Sequence, residues 1–245
     1  MLKHTITAAT IIALMLSPAL AQSLQSDSLT KPQLAQKTPS RPIKKGNRNA
    51  RLAEVASINE DLIGFALDDK PDKVAEKVAA MRKVLPILRP LLNDSTFETL
   101  GRQITDMEQA SSKNDVLGTA LVAVEAYRTI ENAMDAVGRS SPIEVAMMDY
   151  SGFKLSILSA AHATDWPTVA ATAKESDKFW SALTKNVQDT SIRSLVGAIQ
   201  DGLRGAVERK DIHGVKFAAK MQLEVVDVLE QYFKGAYKTG RNIAR

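Results

Sequence analysis

From Leu52 onward, apolar residues return every three or four positions and nowhere alternate with polar ones over the length of a strand. That regularity confines the chain to helices. Phe97, Leu100, Ile104 and Met107 form one such run, and Ile192, Leu195, Ile199 and Leu203 form another. At 3.6 residues per turn, each run lays one apolar stripe along a helix, which must then be buried against a neighbour. The start and stop signals punctuate the runs. Ser141-Pro142-Ile143-Glu144 and Ser95-Thr96-Phe97-Glu98 read as capping boxes, Asn114/Asp115 and Asp211 as N-caps, Pro71 and Pro167 as first-turn prolines, and Gly138 as a helix end. The spacing predicts eight helices, over 52–67, 71–91, 95–112, 115–137, 142–162, 166–186, 190–209 and 211–235.

The helices repeat. Asp94, Ser95, Phe97, Leu100, Ile104 and Asp106 match Asp189, Thr190, Ile192, Leu195, Ile199 and Asp201 at a constant offset of 95. Gly118 and Ala123 match Gly214 and Ala219 at 96, and Glu54-Val55-Ala56 matches Glu144-Val145-Ala146 at 90. Self-similarity at a fixed period signals a duplicated structural unit. The expected fold is therefore all-α, with two tandem four-helix repeats, 52–137 and 142–235, each resembling an up-down bundle. The Gly138-Arg139-Ser140 connection is too short to hold them apart, so the two should pack into one body. Leu100 and Leu195, at matched stripe positions, should both be buried. Asp106 and Asp201, about 200° around the helix from their stripes, should both be solvated.

The residues before Leu52 have a different character. Lys3 and His4 precede an apolar stretch, Ile6–Leu16, which Ser17-Pro18 ends, and Ala19-Leu20-Ala21 follows in the A-x-A pattern of signal-peptidase sites. Residues 1–21 thus read as a signal peptide cleaved after Ala21, which sends the chain to the periplasm. Residues 22–51 carry seven basic side chains against Asp27 alone, a net charge of +6, and residues 52–245 are left at −3. This segment reads as a disordered basic linker. The high pI is a property of that tail and not of a basic globular surface, so the sequence gives no reason to expect a nucleic-acid partner. The tail could make weak contact with an anionic membrane surface. Residues 236–245 form a second basic end, expected to fray.

There is no cysteine, which removes disulfides, thiol chemistry and iron–sulfur clusters. There is no H-E-x-x-H, no GxxxxGK[ST] loop, no dinucleotide fingerprint and no E-x-x-H pair. The expectation is a non-enzyme that binds a small ligand or an envelope protein in a groove between helices, with no cofactor predicted. Both tryptophans, Trp166 and Trp180, fall in the second repeat, so Trp180, Phe179 and Tyr150 are the groove candidates. The alternative is a metal carrier. Thioethers suit copper(I), and Met147, Met148, Asp149, His162 and Met221 are the candidate ligands, also in the second repeat.

Overall fold

The computed structural model describes residues 45–238, with side chains described from 48 to 235. Over these residues the chain is all-α, as the periodicity requires. The helices are α1 (Lys45–Leu67), α2 (Pro71–Leu88), α3 (Asp94–Ser112), α4 (Val116–Ala133), α5 (Ile143–Ala160), α6 (Trp166–Leu183), α7 (Thr190–Glu208) and α8 (Ile212–Lys238), and a short 3-10 turn, Thr184–Asn186, follows α6. Residues 1–21, read above as a signal peptide, and most of the basic tail lie outside the described residues.

Where the boundaries differ from the sequence reading, local chemistry accounts for it. The linker expected to run to residue 51 is already helical from Lys45. Polar contacts hold that first turn, and an apolar stripe does not register them. Arg48 Nε donates to the Leu91 carbonyl at 2.8 Å, while Asn49 clamps the backbone of Asp135, donating to its carbonyl and accepting from its N–H, both at 2.9 Å. α2 stops at Leu88, and Arg89, still in the right-handed region, caps it by donating its N–H to the Pro86 carbonyl in a tighter last turn. α4 ends at Ala133, and Gly138, at φ +96°, lies beyond it in the connection to α5. Neither Ser capping box forms. α3 is capped by Asn93, whose side chain accepts from Thr96 N, and α5 begins after Pro142 with no side-chain cap.

The turns α3–α4 and α7–α8 are built alike. Each passes through a left-handed residue, Asn114 (φ 56°) or Lys210 (φ 52°). Each then places an Asp cap, Asp115 or Asp211, over the N–H of a glycine, Gly118 or Gly214. A Cβ on Gly118 would collide with the Asp115 carboxylate, and one on Gly214 would lie 2.7 Å from that of Asp211 and 2.8 Å from Ala206 Cβ, so a side chain at either position would displace the cap.

Within the first four helices, α1 packs on α2 and α4, and α3 on α2 and α4. Within the last four, α5 packs on α6 and α8, and α7 on α6 and α8. Helix α5 also packs against α1 and α4. A large core of residues from α1 to α4 takes in Tyr150 and Ile157 of α5. Among the described residues, the last four helices hold two smaller clusters. One is built on Met148, Trp180, Val196, Leu229 and Phe233, and the other on Leu155, Val169, Leu203 and Val215. Between them, in chain position on every one of the four helices, come buried polar residues: Ser151, Ser176, Gln200 and Gln222. Here α5 and α8 approach closely, since a Cβ on Gly152 would meet Leu223 Cδ2 at 2.8 Å.

The stripe on α3 lies as expected, with Leu100, Ile104 and Met107 fully buried. The stripe on α7 does not. Leu195 is 46% exposed, and Val196 takes the inward position between Ile192 and Ile199. Asp106 and Asp201 are both exposed.

Candidate functional site

On α1, Ala50, Ala53, Ala56, Ser57 and Glu60 recur at helical spacing. Their small side chains leave a trough with a carboxylate at one end. Opposite, Tyr127 and Glu131 stand one turn apart on α4, and Glu230 and Lys234 one turn apart on α8. The α4–α5 connection closes the remaining side. The positive φ of Gly138 turns the chain so that Arg139 reaches back to Glu131, pairing with its carboxylate at 3.0 Å while also donating to its carbonyl. Together these residues line a cavity of about 410 Å³ where the first four helices meet the last four.

The cavity is acidic. Glu60 has no hydrogen-bond or ion-pair partner among the described residues. Burial, reinforced by repulsion from Glu131, Glu230, Asp61 and Asp227, pushes its carboxyl up to about 7. Burial also raises Glu131, although the Arg139 guanidinium opposes the shift. Close by, Asp149 is raised well above the usual carboxylate range, by burial first and then by the charges of Glu60, Glu230 and Asp227. Among the described residues, its carboxylate accepts one hydrogen bond, a long one from the Tyr127 hydroxyl at 3.4 Å. Against these carboxylates stand two lining cations, each already paired: Arg139 with Glu131 and Lys234 with Glu230. Ionised carboxylates that repel one another across a partly dry space form a site that a positive charge would relieve.

The residues singled out from sequence fall elsewhere. Trp180 is buried in the core of the last four helices, and Phe179 is half-buried between that core and the one formed around α1–α4. Tyr150 is fully buried, and its hydroxyl is occupied. It donates to Glu125 at 2.9 Å and accepts from Lys154 at 3.0 Å and Arg128 at 3.2 Å, and both of those cations also lie over its ring. None of the three lines the cavity.

The five candidate metal ligands are not brought together. Met147, Met148 and Asp149 sit in the first two turns of α5, whereas His162 lies exposed past its C-terminus. Met148 and Ala160 are twelve residues apart, which is about 18 Å at a helix's rise per residue. Met148 is fully buried and Met221 packs against the same cluster, filling core space. Among the described residues, no three His, Asp or Glu side chains converge as a metal-binding group would.

Glu60, Glu131, Arg139 and Glu230 are therefore the functional candidates that sequence reasoning missed, and Asp149, singled out there only as a metal ligand, stands beside them. The one legible hint was on α1, where alanines and serine occupy the face that ends in Glu60. No protein-family model, curated protein or solved structure matches the chain.

Proposed function

We propose that this chain is an exported, non-enzymatic protein of the periplasm that binds a small organic polycation, of the polyamine kind, in the acidic cavity between α1, α4, α5 and α8. The observation that carries the reading is Glu60: a carboxylate without a partner in a cavity whose other carboxylates repel it and whose cations are already paired. Such an arrangement costs stability in the empty protein, as binding sites commonly do.

The sign of the pH effect follows. Glu60 is raised in the folded state, so the folded protein holds the proton more tightly than the unfolded chain. The associated stability is present in full below the ordinary glutamate value of 4.5, and it is lost as pH rises through about 7. A cation in the cavity favours the ionised form, so binding tightens over the same window. Spermidine should bind the mature protein more tightly at pH 8 than at pH 5 by isothermal titration. Glu60→Gln should weaken binding at pH 8 and flatten the pH dependence. The same variant, without ligand, should be more stable than wild type at pH 8 by on the order of 1–2 kcal/mol, after allowing for solvent at a partly open site, and no more stable at pH 5. Spermidine binding that is not saturable at pH 8, or that is equally tight in Glu60→Gln, would rule the reading out.

Export is supported by the Ala19-Leu20-Ala21 pattern after a short apolar stretch. Among the described residues, no helix is long and apolar enough to cross a membrane. The native protein should have an intact mass corresponding to an N-terminus at Gln22. A mature pool that still begins at Met1 would exclude export by this route.

A further inference from the structure

The polar layer of the last four helices fixes the orientation of its own amides. Gln222 Nε2 donates to the Met148 carbonyl at 2.6 Å and to Ser151 Oγ at 2.9 Å. A backbone carbonyl can only accept, so the Gln222 amide cannot be flipped. Its Oε1 therefore faces Ser176 and Gln200, accepting from Ser176 Oγ at 2.8 Å and Gln200 Nε2 at 3.0 Å. Because Gln222 presents an oxygen there, Gln200 must present its NH₂, which also donates to Ser176 Oγ at 3.2 Å. Gln200 Oε1 is thus turned out of the network. Gln200 is 3% exposed, and that oxygen accepts from no described group. Buried polar atoms in native proteins are nearly always satisfied, so an orphan fixed in place by its neighbours calls for a donor from outside the chain.

The same residue lines a cavity of about 200 Å³ between α6 and α7. Ala170 and Ala173 on α6, too short to fill the space, face Leu203 and Val207 on α7. Lys174, Asp177, Arg204 and Glu208 are the charged residues of the lining, and Arg204 reaches across to Asp177 at 3.2 Å and back to Asp201 at 3.0 Å, so its charge is spent within the protein. No residue is shared with the lining of the acidic cavity.

We propose that this groove binds a small, uncharged, largely apolar molecule that carries one N–H or O–H donor, which Gln200 Oε1 accepts. The walls provide apolar contact, and the single acceptor sets orientation, the usual division of labour in small-molecule pockets. At Gln200 Oε1 itself a carboxylate is disfavoured, because it would set an acceptor against an acceptor.

Indole and indene test this, since they share a shape and differ in one N–H donor. Titrated into the mature chain and followed by backbone amide NMR, indole should bind saturably, with shifts centred on Ala173, Gln200 and Leu203. Indene should bind at least tenfold more weakly, because it leaves the buried acceptor unpaired. Ala170→Leu, a change at an exposed alanine that does not touch the polar network, should abolish indole binding with the fold intact. Gln200→Leu, where it folds, should bind the two probes equally. Glu60→Gln should bind indole as wild type does, so failure of the acidic-cavity reading leaves this one standing. Absence of saturable indole binding, which would mean that water alone satisfies Gln200, overturns the proposal. So does equal affinity for indene, or full binding in Ala170→Leu.

Discussion

Replacing Gln222 with leucine should lower the unfolding free energy by about 3–5 kcal/mol, more than most single substitutions do. Leucine supplies similar apolar volume, so packing is not the cause. The cause is that Gln200, Ser176, Ser151 and the Met148 carbonyl lose the side chain that joins them. A buried group left unpaired costs about 1–3 kcal/mol, and Ser151 keeps its bond to the Met148 carbonyl of its own helix. Urea denaturation measures the effect. The control is to remove the whole layer at once, with Gln200→Leu, Ser176→Ala and Ser151→Ala added to Gln222→Leu. Deleting both partners of a buried hydrogen bond is nearly neutral, so the quadruple variant should be more stable than the single one. A single variant within about 1 kcal/mol of wild type would show that the network does not form.

The second large effect separates two leucines that occupy matched positions in sequence. Leu100→Ala removes a fully buried side chain and should cost about 2–5 kcal/mol through lost transfer energy and a residual cavity. Leu195→Ala removes one that is 46% exposed and should stay within about 0.5 kcal/mol, as surface changes do. Equal costs at the two sites in denaturant melts would mean that α3 and α7 present equivalent faces after all, contrary to the position of Val196. If the two halves descend from one duplicated unit, α7 has rotated its buried face by about one residue relative to α3 while the turn after it kept its left-handed residue, Asp cap and glycine.

The helices were legible because their signals are local. Asp115, Asp165, Asp189 and Asp211 each accept from a backbone N–H at the start of the helix that follows. The start of α1 was not legible, because Arg48 and Asn49 are held by Leu91 and Asp135, more than forty residues away in the chain. The acidic cavity was hidden for the same reason. Glu60, Glu131 and Glu230 each read as an ordinary solvated carboxylate on an amphipathic helix, and only the apposition of α1, α4 and α8 makes them repel one another. The aromatic candidates misled because size alone does not distinguish a platform from a core. Trp180 and Tyr150 are large, and both are buried. Gln200 and Gln222 left a fainter trace, as polar residues at positions where the stripe of an α-helix should be apolar.

The seat of Tyr150 and Ile157 bears on the order in which the protein can assemble. Both belong to the core built around α1–α4, although they sit on α5. A chain emerging N-terminus first, whether from the ribosome or through a secretion channel, presents four helices before the residues that seal them have arrived. Those helices would hold an open apolar seam until α5 follows. Completion of the first half thus waits on a segment that also begins the second, and α5 is the keystone on which the two cores lean.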